Sequence, residues 1–158
     1  MGEIQVLYRH IPELPYNFEF PIGYCYGVGI LPQYRCLGLG NILFEEQEKV
    51  AKEKKIEEIH MSVRVENYPS LKLMFGCDCE IFGYRADFYG PELSDARLLV
   101  KQVLNRSVTK SNSNDLVEVP VVFGDKHDSH AHQKILQLMS NGYRGVGINC
   151  KGLYFSKT

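Results

Sequence analysis

The stretch LPQYRCLGLGN, residues 31–41, separates a run of β-prone residues from an amphipathic run. The preceding run, IGYCYGVGIL at residues 22–31, is rich in aromatic and aliphatic residues and predicts a strand that ends there, with Gly27 and Gly29 indicating a bulge or a close approach of another backbone. The following run, NILFEEQEKVAKEKK at residues 41–55, places apolar residues near one side and charges on the other, which predicts a helix. The chain therefore passes from a strand through a glycine-bearing turn into a helix.

This turn carries the spacing R-x-x-G-x-G, with Arg35, Gly38 and Gly40 at the fixed positions. The first N–H groups of a helix have no carbonyl partner, and the helix dipole reinforces their partial positive charge. Glycine has no Cβ, so an anion can approach the backbone closely, and Arg35 adds a positive charge nearby. The turn therefore predicts a phosphate or pyrophosphate site, with a plain glycine turn as the structural alternative.

The spacing excludes two other phosphate-binding loops. The chain has no G-x-x-x-x-G-K-[ST] segment, so it is not a P-loop protein. A dinucleotide-binding fingerprint needs three glycines together with an acidic residue at the end of the next strand, and this turn has only two glycines, Gly38 and Gly40.

The remaining periodic runs predict an α/β protein with a mixed sheet flanked by helices. Strands are expected at residues 4–9, 56–65, 80–89, 116–123 and from 145, and helices at 71–75 and 131–140. The polar segment 106–115 predicts a linker or exposed loop between a first region, 1–105, and a second strand-helix-strand unit, 116–158. A short echo, SLKLMF before one GYR and KILQLM before another, is as compatible with chance as with duplication.

The glycine turn resembles motif A of the GNAT superfamily of acyl-CoA N-acyltransferases. In that family V-x-P-x-Y-R-G-x-G-x-G delivers the loop that holds the CoA pyrophosphate, whereas this chain has I-L-P-Q-Y-R-C-L-G-L-G, with Cys36 in place of a glycine. The resemblance continues in NYPS, where Asn67 and Ser70 match an N-x-x-[AS] turn, and in FYGPELSDARLLVKQ, which is similar to the family's closing F-Y-x…D-A-x-x-M-x-K stretch. It implies a GNAT-like fold over about half of the chain.

The C-terminal segment HDSHAHQKILQLMSNGYRGVGI is loosely similar to the same family's pattern H-x-x-Q…G-[FY]-x-x-V-G-[IL]. This similarity implies a tandem or rearranged GNAT-like chain, in which residues 116–158 form a second half unit. In that family an N-terminal strand with two helices usually shapes the amine side of the site, but only about twenty residues precede the motif strand here. The second half unit is therefore expected to form the amine side of the site.

The resemblance implies a reaction in which a primary amine of a small molecule or peptide attacks the thioester of acetyl-CoA. Residues 27–31 would pair with the pantetheine amides, and the N–H near Ile30 would polarise the thioester carbonyl. The implied CoA-binding residues come from the strand end, the turn and the N-x-x-[AS] motif: Ile30, Leu31, Arg35, Cys36, Leu37, Gly38, Leu39, Gly40, Asn41, Asn67 and Ser70.

Proton transfer has several candidate groups. Many family members carry a tyrosine in the helix after the N-x-x-[AS] turn to protonate the leaving thiolate, but Met74 stands there and cannot donate a proton. Tyr68 and Tyr84 are the candidate replacements, each with a packed aromatic as its structural alternative. The candidate base is His60, whose alternative is a satisfied strand histidine; Glu13 and Glu19 are further upstream candidates.

Two other classes of function compete with the acyltransferase. A metal-dependent hydrolase would use a cluster of imidazoles and carboxylates, Asp125, His127, Asp128, His130 and His132. Its spacing favours instead a polar entry to a helix capped by Asp128 or Ser129, so no metal is expected. The third class is a non-catalytic CoA-binding or interaction module. Met74, in place of the catalytic tyrosine, and the short N-terminal segment both favour this class.

The composition and charge of the chain limit the classes of binding partner that we expect. The 158 residues carry 18 Lys and Arg against 19 Asp and Glu, a net charge of −1, which disfavours nucleic acid. No apolar run approaches the length of a bilayer crossing, and no signal pattern opens the chain, so we expect a cytoplasmic protein with free cysteines. Unpaired sheet edges favour a homodimer.

Overall fold

The computed structural model describes residues 2–7, 22–90, 95–105, 115–124 and 126–157. These residues form eight strands and three α-helices, and the strands pair both parallel and antiparallel, as the predicted mixed α/β class requires. In chain order the elements are β1 Gly2–Leu7, β2 Ile22–Ile30, α1 Leu39–Glu53, β3 Glu58–Val63, α2 Tyr68–Gly76, β4 Cys79–Arg85, β5 Arg97–Val103, β6 Val117–Pro120, α3 Ser129–Ser140, β7 Tyr143–Asn149 and β8 Gly152–Lys157.

The chain divides into two compact units. The first, unit 1, comprises Met1–Met61 with Lys101–Ser107, and the second, unit 2, comprises Ser62–Val100 with Val108–Thr158. In unit 1, β2 pairs antiparallel with β1 and parallel with β3. In unit 2, β7 pairs antiparallel with β4 and with β8, and β8 pairs antiparallel with β6.

Each unit has its own apolar core. The buried apolar residues of unit 1 come from β2, α1, β3 and the chain beside β3 and β5: Ile22, Tyr24, Cys25, Phe44, Ala51, Ile56, Ile59, Met61 and Leu104. Unit 2 buries residues of its strands together with α2 and α3, and its largest fully buried side chains are Leu71, Ile81, Leu98, Ile135, Leu153 and Phe155. Within the part of the chain listed above, no helix is long and apolar enough to span a bilayer.

The predicted elements are present, with shifted ends that have local causes. Helix α1 begins at Leu39, two residues early, because Gly38 adopts a left-handed conformation that starts it. Helix α2 begins at Tyr68 because the Asn67 side chain accepts a hydrogen bond from Ser70 N–H. Strand β4 ends at Arg85, earlier than the predicted end at residue 89. No separate element was expected at β8, which completes a hairpin with β7.

The two GYR copies occupy different places. Gly83 lies inside β4, where a Cβ would approach Leu99 to 3.0 Å, whereas Gly142 is the turn residue before β7 and has φ 82°. The first copy therefore ends a strand and the second begins one.

The buried side chain of Gln47 in α1 has no hydrogen-bond partner among the described residues. It is 3% exposed, and neither its amide nitrogen nor its side-chain carbonyl oxygen is bonded to any of them. An unpaired buried polar group costs about 1–3 kcal/mol. Gln47→Met retains the length of the side chain and removes both polar atoms, so we expect the free energy of unfolding in urea to rise by about 1 kcal/mol.

The matched control is Gln133→Met, since Gln133 is an exposed residue of α3. Its free energy of unfolding should change by less than about 0.5 kcal/mol. A loss of stability in Gln47→Met alone would mean that the amide is hydrogen-bonded in solution.

Candidate functional site

The connection between β2 and α1 is a tight, exposed loop. A single 3-10 turn, Pro32–Tyr34, follows β2; Tyr34 N–H donates to the carbonyl of Leu31 at 2.9 Å, and Arg35 N–H donates to that of Pro32 at 3.2 Å. Residues 31–38 are all exposed, and Gly40 is buried in the first turn of α1. The loop therefore presents its backbone to solvent immediately before a helix.

The loop contains a run of unpaired amide groups. The N–H groups of residues 36–40 donate to no carbonyl oxygen in the described part of the chain. The next two, those of Asn41 and Ile42, donate to the carbonyl of Gly38 at 3.1 and 3.4 Å. Five consecutive N–H groups at the positive end of the α1 dipole are suited to bind an anion.

Two residues in the left-handed region give the loop its shape. Cys36 has φ 62° and Gly38 has φ 78°, and a Cβ at Gly38 would meet nothing within 4 Å. Left-handed backbone costs a residue with a Cβ about 1–2 kcal/mol. Cys36, which stands where the family pattern has a glycine, therefore adopts the left-handed conformation that suits a glycine.

Arg35 fastens the loop to the end of β2. Its Nε donates a hydrogen bond to the carbonyl of Ile30 at 3.0 Å, and the residue is exposed. The guanidinium thus combines a structural contact with the positive charge predicted beside the amides.

The C-terminal half of β2 has an open edge. Its parallel pairing with β3 runs from Ile22↔Glu58 to Cys25↔Met61, whereas its pairing with β1 continues to Ile30. The register with β1 shifts at Tyr26, one residue before Gly27, where the sequence indicates a bulge. A Cβ added at Gly27 or Gly29 would meet no atom within 4 Å. Residues 26–30 therefore have a strand partner on one edge only among the described residues.

In unit 1, His60 lies in a group of buried and half-buried polar side chains. Its Nε2 lies 2.7 Å from Glu58 Oε2, and Lys101 Nζ donates to Glu58 Oε1 at 3.1 Å. Burial alone would raise the pKa of Glu58, but the hydrogen bonds from His60 and Lys101 outweigh it and hold that pKa below its usual value. Glu58 is therefore an ionised partner for His60. The alternative bases Glu13 and Glu19 lie outside the described residues.

In unit 2, the N-terminus of α2 brings together three predicted site residues. Asn67 caps the helix through Ser70 N–H at 3.3 Å, and Tyr68 is the first helical residue. The Tyr68 ring packs against Phe123 with centroids 5.0 Å apart, and its hydroxyl bonds to no described residue. Met74, at the family's tyrosine position, is 7% exposed and packs in the core.

Tyr84 is hydrogen-bonded to a chain of buried polar groups. Its hydroxyl lies 2.7 Å from Nδ1 of His132, whose Nε2 lies 2.7 Å from Oε1 of Glu66. Burial raises the pKa of Tyr84 and lowers that of His132, in the latter case outweighing the Glu66 charge. Burial would also raise the pKa of Glu66, but hydrogen bonds from Asp128 N–H and His132 outweigh it and lower that pKa. The directions of these three pKa shifts agree with one arrangement of protons, in which Tyr84 donates to a neutral His132 and His132 donates to ionised Glu66.

The predicted histidine cluster is only partly assembled. His127 Nδ1 lies 3.7 Å from Glu66 Oε1 and the His127 and His132 rings are 4.0 Å apart, but His130 is exposed and outside the group. The predicted capping role of Asp128 is confirmed, since it accepts from Ala131 N–H at 3.1 Å. Asp125 lies outside the described residues. Glu66 was not predicted, because no spacing in the sequence links it to the histidines.

A strand, a left-handed turn whose five N–H groups have no backbone acceptor among the described residues, and a helix form an α/β arrangement that is suited to anion binding at a helix N-terminus. Residues 6–76 match the family model described as the acetyltransferase (GNAT) family. The predicted resemblance to the GNAT superfamily is thereby confirmed, and so is the GNAT fold.

Solved structures share this fold at low sequence identity. One is Naa20 of Chaetomium thermophilum in complex with a bisubstrate analogue, with a TM-score of 0.57 and 18% identity over 70% of this chain and 63% of that chain. A second is Arabidopsis thaliana Naa50 in complex with the bisubstrate analogue CoA-Ac-MVNAL, with a TM-score of 0.53 and 19% identity over 64% of each chain. A third is the NatC complex bound to Gag peptide and CoA, with a TM-score of 0.55 and 18% identity over 66% of this chain.

The present chain covers 61% of that third structure's chain, so it spans less than two thirds of the length of these relatives. A comparison with curated proteins finds no match.

Proposed function

We propose that the chain is an N-acyltransferase that transfers an acetyl group from acetyl-CoA to a primary amine. The observation that carries the proposal is the run of five free N–H groups at residues 36–40, in a loop whose family pattern holds the CoA pyrophosphate. Five aligned donors match a diphosphate, which offers several anionic oxygens close together.

The proposed CoA contacts continue from the loop into both of its neighbours. Arg35 and the amides of Cys36, Leu37, Gly38, Leu39 and Gly40 would hold the phosphates, next to Asn41, whose own N–H donates to the Gly38 carbonyl. The open edge of β2 supports the proposed pairing of Ile30 and Leu31 with the pantetheine chain, because an unpaired strand edge offers alternating N–H and C=O groups. Asn67 and Ser70 are proposed to face the thiol end.

The proposed acceptor is an amine of a peptide or small molecule. Three structures with this fold contain a peptide or a bisubstrate analogue, according to their descriptions. Attack requires a neutral amine, so a base must remove one proton from the ammonium group before the C–N bond forms and the C–S bond breaks. His60, hydrogen-bonded to ionised Glu58, is the proposed base.

Tyr68 is the proposed donor of the proton that the CoA thiolate takes up. Its hydroxyl is unbonded among the described residues, and it directly follows Asn67 at the α2 N-terminus. The Tyr84 hydroxyl, the alternative, is already engaged with His132. A free hydroxyl can turn towards a leaving group without breaking an existing hydrogen bond, which favours Tyr68.

Gly38→Glu tests the diphosphate site. A carboxylate at this position repels the phosphates, and its Cβ adds strain at φ 78°, so we expect acetyl-CoA affinity in calorimetry to fall at least about tenfold, or about 1.4 kcal/mol. Gly142→Glu is the matched control, because Gly142 has φ 82° and open space around it but no run of free amides. Equal affinity in the Gly38 variant and the wild type would refute the loop as the CoA site.

Thiol labelling tests the same site without a mutation. Cys36 and Cys150 are both exposed, whereas burial raises the pKa of Cys25 to about 11. We expect saturating acetyl-CoA, which carries no free thiol, to slow maleimide labelling of Cys36 at least about tenfold by covering the loop. Cys150 serves as the internal control and should label at an unchanged rate. Peptide mass spectrometry reads both sites, and unprotected labelling of Cys36 would contradict the proposal.

Tyr68→Phe tests the proton donor. Loss of a general acid lowers kcat by about 10²-fold or more while acetyl-CoA affinity stays within about twofold. The measurement is release of CoA with a panel of peptide and small-molecule amines. Tyr89→Phe, which removes the hydroxyl of an exposed tyrosine, should leave kcat unchanged. A large loss of kcat in Tyr84→Phe with normal turnover in Tyr68→Phe would transfer the role to Tyr84.

A further inference from the structure

Three potential metal-ligating side chains meet inside unit 2, apart from the CoA loop. Glu66, His127 and His132, here called the Glu66 cluster, each offer one ligand atom, and these atoms lie within 4.8 Å of one another. Glu66 comes from the connection between β3 and α2, His127 from the segment before α3, and His132 from α3 itself. Tertiary structure alone brings them together, since Glu66 is distant from the histidines in sequence.

The donor set of the cluster selects the class of ion. Two imidazoles with one carboxylate form a common ligand set for zinc, whereas Mg²⁺ and Ca²⁺ prefer oxygen ligands throughout. Three protein ligands leave a fourth position for water or another ligand. The exposed side chain of His127, with a relative accessibility of 54%, places that position at the protein surface.

Surrounding groups hold the ligands in place. Glu66 Oε1 accepts a hydrogen bond from Asp128 N–H at 2.9 Å, and Arg64 Nη2 lies 3.7 Å from Oε2. His132 Nδ1 lies 2.7 Å from the Tyr84 hydroxyl, so Nε2 is the ring nitrogen that faces Glu66. Metal-binding histidines are commonly anchored through the second ring nitrogen in this way.

The ligand atoms must move to hold an ion, because they are spread over distances of up to 4.8 Å. Ligand atoms that share one tetrahedral zinc lie about 3.3–3.5 Å apart, given bonds of about 2.0–2.2 Å. The 3.7 Å between His127 Nδ1 and Glu66 Oε1 is close to this value, and the 2.7 Å between His132 Nε2 and Glu66 Oε1 must widen. An ion replaces the hydrogen bond between those last two atoms, and the ring proton of His132 then lies on Nδ1, where the Tyr84 hydroxyl oxygen accepts it.

We propose that Glu66, His127 and His132 bind one Zn²⁺ ion. The ion fastens the β3–α2 connection to the N-terminal end of α3 and keeps one coordination position open to solvent. The proposal rests on the side chains of unit 2 alone and does not depend on acyl transfer, so its test reads metal binding and not activity.

The test is calorimetric titration of Zn²⁺ into tag-free, chelator-treated full-length protein, with metal analysis of the purified complex. We expect one ion per chain and a rise of several degrees in the melting temperature when the metal is well above its Kd. His132→Ala and Glu66→Gln should each weaken binding at least about tenfold, and Tyr84→Phe should weaken it by roughly tenfold through the ring it anchors.

His130→Ala is the matched control, since it removes an exposed imidazole of the same helix that lies outside the cluster, and it should leave the affinity unchanged. Co²⁺ should give d–d absorption without a thiolate charge-transfer band, which distinguishes the cluster from binding by cysteines. If one variant fails to fold, His127→Ala, at an exposed residue, answers the same question. Absence of stoichiometric binding, or equal binding by His127→Ala and the wild type, would overturn the proposal.

Discussion

The left-handed backbone at Cys36 and Gly38 is the constraint on which the rest of unit 1 depends. It turns the chain from β2 into α1 within a few residues, and it leaves the N–H groups of residues 36–40 without internal acceptors. The same turn directs α1 so that Phe44 and Ala51 are buried. The packing of unit 1 and the anion-binding geometry therefore have one origin, which explains why the turn persists even with a residue that carries a Cβ.

Unit 2 has a comparable organising contact in the Glu66 carboxylate. It accepts a hydrogen bond from the backbone of Asp128, lies within hydrogen-bond distance of His132, and so joins the connection before α2 to the start of α3. A buried carboxylate is costly unless such partners compensate it. His132 also contacts the Tyr84 hydroxyl through Nδ1. Ionised Glu66 can only accept, so His132 donates through Nε2 and its Nδ1 accepts from Tyr84.

The sequence predicted the β2–loop–α1 unit well because its signals are local. Glycine spacing, β-prone residues and helical periodicity act within about twenty residues, and within this unit the structure differs by one or two residues at the element ends, as at the start of α1, which depends on the Gly38 conformation. Glu66 could not be predicted in the same way, because a single acidic residue before a helix carries no periodic signal. The histidine cluster was considered as an alternative, and of its members only His127 and His132 lie in the group with Glu66.

Cys36 shows how a departure from a family pattern can be informative. If the loop needed only a tight turn, selection could relieve the strain at φ 62° with glycine, which costs less in that region. Cysteine retains the strain and also adds an exposed thiol to residues 36–40, whose N–H groups have no backbone acceptor among the described residues. A diphosphate bound by those amides would cover the loop that carries this thiol, so the occupancy of the loop and the accessibility of Cys36 are coupled.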